Sequence, residues 1–280
     1  MADMWNDLLS CLELRPLTPD NSSDAPQQGP GTIAAVYEGQ NQNLEYHRLF
    51  GGQLLGQFIS AALATSPGKT IKSIHSVFSK EGHADEPVTY DVVRQQEGRT
   101  FASLLITAHQ SKGVIASAAV SMHISEDGPE LQEIAAPSPL LSADHDIDFN
   151  LIPWETRTAG DLNSTGVSAP EFEFWMRTPT VDQALAPALA AYATDLTIIG
   201  TALLPLEGYS QTGNGTAFIS AVTSHTIWFH RPFRTDEWLL LRQHSPLVAH
   251  SRTFGRGDIL TEDGQLVASF AQEAMVRIKS

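Results

Sequence analysis

The sequence predicts an α+β fold built as two tandem halves, each an antiparallel sheet wrapped around one long central helix. Three observations predict it. One hairpin occurs twice: Arg99-Thr100-Phe101 precedes Val114-Ile115-Ala116-Ser117, and Arg252-Thr253-Phe254 precedes Leu266-Val267-Ala268-Ser269. Arginine and serine lie 18 residues apart in the first copy and 17 in the second, with Lys112-Gly113 or Asp263-Gly264 turning the chain before the second strand. The echo extends upstream, where Phe78 answers Phe229 and Asp85-Glu86-Pro87-Val88 answers Asp236-Glu237-Trp238-Leu239 at an offset of 151, growing to 153 between Arg99 and Arg252. Three echoes in one order indicate duplication. Finally, each half carries a single apolar helix before its strands, the arrangement expected when a sheet buries one face against one helix.

The elements follow in order. Gly51-Gly52 opens a helix over 53–64, with Leu54, Leu55, Phe58, Ile59, Ala62 and Leu63 at helical spacing. The second helix begins near Val181-Asp182 and runs through Ala184, Leu185, Ala188, Leu189, Tyr192, Leu196 and Ile199. Pro187 falls early in it, where proline is best tolerated. Strands rich in β-branched and aromatic residues follow each helix. The domain reading is an N-terminal half, 1–125, a Pro/Ser/Asp/Gly-rich linker, 126–170, and a C-terminal half, 171–280.

Composition narrows the function. The net charge is −15, from 17 Lys plus Arg against 32 Asp plus Glu. Nucleic acid and anionic membrane surfaces therefore find no attraction here, and polyanions are not expected as main partners. The single cysteine, Cys11, excludes an intrachain disulfide and a cysteine metal cluster, and fits a reducing compartment. The N-terminal residues lack a secretory pattern, the longest apolar stretch, about Leu196 to Leu206, is too short to span a membrane, and Arg277-Ile278-Lys279-Ser280 is not a Ser-Lys-Leu signal. A cytoplasmic protein is expected. The sequons at Asn21, Asn163 and Asn214 carry no meaning without secretion.

Several motifs are absent. Gly208-Tyr209-Ser210-Gln211-Thr212 lacks the second glycine of a nucleophile elbow, and no Gly-rich phosphate loop occurs. The ten histidines form no close metal pattern, so neither a metal nor a cofactor is expected. Arg256-Gly257-Asp258 reads as part of a strand.

Asp195 is the most informative residue, the only charged side chain from Gln183 to Leu206. A carboxylate in so apolar a helix must be hydrogen-bonded, paired or protonated, because burying it alone costs several kcal/mol. It serves either a structural hydrogen bond or the polarisation of a water. Gln272 is the second candidate. Leu266, Ala268, Phe270, Gln272, Ala274, Val276 and Ile278 share one face of the last strand, and only Gln272 is polar, whereas its counterpart in the first half is Val120. Polar chemistry is thus expected in one half alone. Gly51 and Gly52, at a helix start, offer unhindered N–H groups and a positive dipole end to a carbonyl oxygen, or simply close packing.

Taken together, Phe50-Gly51-Gly52-Gln53-Leu54-Leu55-Gly56-Gln57, His75-Ser76-Val77-Phe78, Trp228-Phe229-His230-Arg231-Pro232-Phe233, Asp263-Gly264-Gln265-Leu266-Val267-Ala268-Ser269 and Ala271-Gln272-Glu273 resemble the TesB-like acyl-CoA thioesterase II family. The resemblance implies a double hotdog fold, homo-oligomers, and hydrolysis of an acyl thioester in lipid metabolism without a covalent intermediate. It also implies a water held by an Asp, a Thr or Ser, and a Gln. The Asp matches Asp195 and the Gln matches Gln272. The hydroxyl position holds Val222, with Ser224 two residues along on the expected strand face and Thr223 one register away, so Ser224 is the substitute expected. Val222 and Trp228 are assigned to substrate contact with Gly51 and Gly52. The arginines common after the family's Gly-x-x-Phe segment are replaced by Leu104-Leu105. A second reading is therefore a repurposed double hotdog protein acting on, or binding, an apolar biosynthetic intermediate.

Overall fold

Both predicted hairpins form, and each is the centre of an antiparallel sheet. The computed structural model describes residues 2–17, 33–44 and 48–279. The sequon at Asn21 lies outside them. Two units divide the chain, Met1–Pro129 and Glu130–Ser280.

The first unit contains α1 (Ala2–Leu12), β1 (Arg15–Pro16), β2 (Ile33–Gly39), α2 (Gly51–Thr65), β3 (Thr70–Phe78), β4 (Val88–Glu97), β5 (Phe101–Gln110) and β6 (Gly113–His123). Its strands run in the order β1-β2-β4-β5-β6-β3, antiparallel throughout. The helix expected over 53–64 forms as α2, and nearly every residue from Gly52 to Ala62 is buried, as a helix enclosed by a sheet requires. The β5–β6 turn places Gly113 at φ 104°, a conformation that glycine adopts without strain.

The second unit contains β7 (Glu155–Arg157), β8 (Glu171–Arg177), α3 (Ala186–Thr194), α4 (Ile198–Leu203), β9 (Phe218–Phe229), β10 (Leu239–Ala249), β11 (Arg252–Thr261) and β12 (Leu266–Ile278). Its order is β9-β12-β11-β10-β8-β7. Read from the strand that follows the helix, both units have one topology: first, last, third and second of the post-helix strands, then the strands that precede the helix. This is the architecture expected of a double hotdog protein. Arg256-Gly257-Asp258 lies within β11, as its strand reading required. Residues 130–170 fold onto the second unit, where Ile134, Leu140 and Leu141 pack on buried Trp175, Trp238, Leu240 and Leu260.

The second central helix departs from the continuous one expected. It begins as a 3-10 turn over Gln183–Leu185, and breaks between α3 and α4 at Asp195, Leu196 and Thr197. Hydroxyl groups compete with the helical ladder there: Thr194 Oγ1 lies 2.8 Å from the Ala191 carbonyl and 3.0 Å from His225 Nε2, and the Thr197 and Thr201 hydroxyls both accept from Gln243 Nε2, at 2.8 and 2.7 Å. By length and composition Gln183–Leu203 could cross a membrane, but it is broken and mostly buried within its own unit, the condition of a core helix.

Close packing gives one stability test. A Cβ at Gly257 would stand 2.6 Å from the Arg242 carbonyl oxygen and 2.5 Å from the Phe270 ring, and the carbonyl belongs to the neighbouring strand. Gly257→Ala should lower stability in urea unfolding by about 1–3 kcal/mol; an unchanged midpoint would show that the β10–β11 spacing relaxes freely.

Candidate active site

The helix break sets the position of Asp195. As the residue that ends α3, it is 6% exposed in a setting that is otherwise apolar or neutral. Two strands bring side chains toward it. On β12 the inward face runs Ala268, Phe270, Gln272, Ala274 and Val276, all buried, as the period of two predicts. Leu266 leaves this face because Val267 is an extra residue at a register shift opposite Ile259 and Leu260.

On β9 the alternation is interrupted. Glu273 pairs with Ser224 and Ala274 with Val222, so Thr223 is an extra residue, a β-bulge. Before it, buried Phe218 and Ser220 alternate with exposed Ile219 and Ala221; after it, buried His225, Ile227 and Phe229 alternate with Thr226 and Trp228. The inward set passes from even to odd numbers. Val222 stays on the inward face, half-buried, opposite Ala274. Thr223 and Ser224 turn outward with Glu273, and the Thr223 hydroxyl donates to the Glu273 carbonyl at 3.0 Å. Ser224 is therefore not brought to Asp195, which corrects its expected place as the substitute hydroxyl.

The bulge carries inward a residue that the sequence reading passed over. His225 is fully buried, pairs across the sheet with Gln272, and its Nδ1 lies 2.8 Å from Gln272 Oε1. Its Nε2 lies 3.0 Å from Thr194 Oγ1, beside the helix break. Phe270 lies parallel to the ring, 5° between planes at 6.2 Å, and restrains its tilt. Burial pushes the His225 pKa down to about 4, against the raising effect of the Gln272 bond, so the ring is neutral at pH 7. The 3.8 Å separation of His225 Nδ1 from Asp195 Oδ1 is accordingly neither a hydrogen bond nor an ion pair at that pH. Asp195, His225, Gln272 and Thr194 form one buried cluster. The Gln272 Nε2 is buried with no partner among the described residues.

The repeat offset held the signal for His225. The offset of 151 that relates Phe78 to Phe229 places His225 on Ile74, and Ile74 pairs directly with Val120, the counterpart of Gln272. The first unit has a buried aliphatic pair, Ile74 and Val120, where the second has imidazole and amide. The first unit is nonetheless polar elsewhere on its helix. Gln57 accepts from the Tyr90 hydroxyl at 2.5 Å and donates to the Cys11 and Gln40 carbonyls at 2.8 Å, while Gln53 donates to Asn41 at 2.9 Å. That network holds no carboxylate. Burial pushes the Cys11 thiol up to about 12, which leaves it unreactive.

The remaining candidates lie elsewhere. Gly51 and Gly52 open α2 in the first unit, after an extended Phe50 that supplies no side-chain cap to the helix end. Trp228, 40% exposed, turns to the outer face of the second unit's sheet. There it borders a groove of about 910 Å³ with Arg242, His244, Arg256 and Asp258, which Asp195, His225 and Gln272 do not line.

Two family models cover most of the chain: the acyl-CoA thioesterase N-terminal domain over residues 42–123 and the acyl-CoA thioesterase C-terminal domain over 125–276. Acyl-CoA thioesterase 2 of Haemophilus influenzae is 30% identical over 306 residues, covering 99% of each chain. Acyl-coenzyme A thioesterase 8 of Mus musculus is 30% identical over 264 residues, 83% of this chain and 81% of its own. Among solved structures, an acyl-CoA thioesterase II from Mycobacterium marinum superposes with a TM-score of 0.78 at 27% identity, covering 98% of this chain and 99% of its own. A hot dog fold protein from Alicyclobacillus acidocaldarius, 16% identical, covers 98% of both chains with a TM-score of 0.73 and shares the fold. The double hotdog architecture, the matched models and the full-length relatives agree: the chain is an enzyme of the acyl-CoA thioesterase family.

Proposed function

We propose that the chain hydrolyses an acyl thioester, acyl-CoA in the first instance, by direct attack of a water held between Asp195 and Gln272. One observation carries this reading: a buried carboxylate and a buried amide with an unpartnered N–H group approach the same imidazole nitrogen. A water there would donate one proton toward Asp195, receive a hydrogen bond from the Gln272 amide, and attack the thioester carbonyl with its remaining lone pair. Asp195 takes the proton as the carbon–oxygen bond forms. Collapse of the tetrahedral intermediate breaks the carbon–sulfur bond, and the proton passes to sulfur, giving a carboxylic acid and a thiol. The reading keeps 1–125 and 171–280 as the two halves joined by 126–170, in a cytoplasmic homo-oligomer.

Val222 favours a second reading, an apolar ligand held without turnover, because its methyl groups stand on the inward face where the resemblance implies a hydroxyl. A panel of short- to long-chain acyl-CoAs, followed by free thiol release, decides between them. Wild type should turn over at least one chain length, Asp195→Asn should lose about 10²-fold or more in kcat, and Ser224→Ala should stay within about twofold of wild type. Ligand retained without thiol release would support the second reading.

Acid stability checks the neutral imidazole. The His225 pKa of about 4 in the folded state lies below the ordinary 6.5, so the unfolded chain binds the extra proton within that window. Stability is lost as pH falls through it, by about 3 kcal/mol once pH is below 4. In urea unfolding between pH 7 and 4, wild type should lose about that much more than His225→Phe; parallel losses would show an imidazole that charges as freely folded as unfolded.

A further inference from the structure

We propose that His225 is a positioning residue which, in its Nδ1–H form, clamps the Gln272 carbonyl and so fixes the amide Nε2 as the end presented to the reacting water. The proposal rests on the hydrolytic reading and adds to it a determinant of which chemical group Gln272 offers.

A glutamine amide can turn over with almost no change of shape, so its neighbours must decide its orientation. Two arrangements fit the distances. In one, His225 Nδ1–H donates to Gln272 Oε1 at 2.8 Å, the Thr194 hydroxyl donates to His225 Nε2 at 3.0 Å instead of to the Ala191 carbonyl, and the amide nitrogen is left for a ligand. In the other, Nε2–H donates to Thr194 Oγ1, the Thr194 proton goes to the Ala191 carbonyl at 2.8 Å, and Nδ1 accepts from an amide turned over, which leaves the carbonyl oxygen facing the ligand. Thr194 has one proton and cannot serve both.

Asp195 breaks the tie. Its Oδ1 stands 3.8 Å from Nδ1, and in this buried setting a proton on Nδ1 is attracted to the carboxylate whereas a lone pair is repelled. The same charge favours an amide N–H over an amide oxygen in the space beside it. Both preferences select the first arrangement, and they agree with the buried, unpartnered Gln272 Nε2. With a pKa of about 4, the ring holds one proton at neutral pH and cannot donate from both nitrogens. Three groups thus act in series: Asp195 sets the His225 tautomer, the tautomer sets the amide, and the amide presents a donor to the water while Asp195 accepts from it.

Two measurements test this. Long-range nitrogen–proton NMR on the wild-type protein, with the His225 signals identified by their loss in His225→Phe, should show the Nδ1–H form; an Nε2–H form overturns the proposal. In Asp195→Asn the balance should move toward Nε2–H, and no movement overturns the role given to the carboxylate. In acyl-CoA kinetics, His225→Phe should lose about 10–10²-fold in kcat with KM within about twofold, and His225→Asn, whose side-chain N–H falls near Nδ1, should recover to within about tenfold of wild type. Wild-type kcat in folded His225→Phe, or no recovery in His225→Asn, overturns it. If His225→Phe does not fold, the His225 signals are identified by conventional assignment and the wild-type tautomer decides. If no acyl-CoA is hydrolysed the hydrolytic reading has failed, and the NMR result still separates that failure from failure of the clamp.

Discussion

The extra residue at Thr223 inverts the inside–outside alternation of β9, and the entry of His225 into the buried cluster depends on that inversion. Strands alternate faces with a period of two, so a single inserted residue exchanges the two sets of side chains beyond it. With the bulge, His225, Ile227 and Phe229 are buried and Trp228 stands outside. Without it, the imidazole would face outward, Gln272 would lose its cross-strand partner, and a serine would take the inward position. The bulge is held on its outer side, where Thr223 donates to the Glu273 carbonyl and Arg252 approaches the Glu273 carboxylate at 3.3 Å. The exposed ion pair contributes little by itself, so the hydroxyl–carbonyl bond is the stronger restraint.

The two halves show what the inversion makes possible. At equivalent cross-strand positions the first unit buries Ile74 against Val120 and the second buries His225 against Gln272. Imidazole and amide are costly to bury unless their polar atoms are satisfied, and three of the four are placed against a partner. The fourth, Gln272 Nε2, is left over. In the first unit Gln57 and Gln53 are tied to carbonyls, to Tyr90 and to Asn41, so that their amides are consumed by the fold. One unit ties its helix amides to structure, and the other retains an amide donor in the same buried cluster as a carboxylate.

The fold was legible because its signals are periodic and repeated: two hairpins, one offset, and apolar helices before the strands. Asp195 and Gln272 were legible for a related reason, since each is the lone polar exception on an apolar surface. The residues that could not be placed lie just beyond an irregularity. Counting an unbroken period of two from Val222 puts Ser224 and Trp228 on its face and His225 opposite, whereas the bulge reverses all three. No glycine marks that bulge, so its local sequence gives no warning. The helix break was hidden similarly, because Thr194, Thr197 and Thr201 read as tolerable helix residues until their hydroxyls are seen bonded elsewhere. Only comparison of the halves, which sets His225 against Ile74, carried the missing information.

Val222 gives this arrangement its consequence. On the hydrolytic reading a water in the cluster needs at least two polar partners, and Asp195 supplies an acceptor while Gln272 supplies a donor. A hydroxyl at position 222 would be a third partner, able to rotate and to correct a misdirected water. Valine supplies neither donor nor acceptor, so the geometry of attack rests on two groups, and an amide turned over would place two acceptors against the same water. A catalytic water facing only acceptors would have no donor to fix its lone pair. The loss of a hydroxyl on β9 therefore makes orientation of the amide on β12 more consequential, and that orientation is set by the imidazole paired with it across the two strands. In this chain the burden carried by Val222's missing oxygen falls on His225.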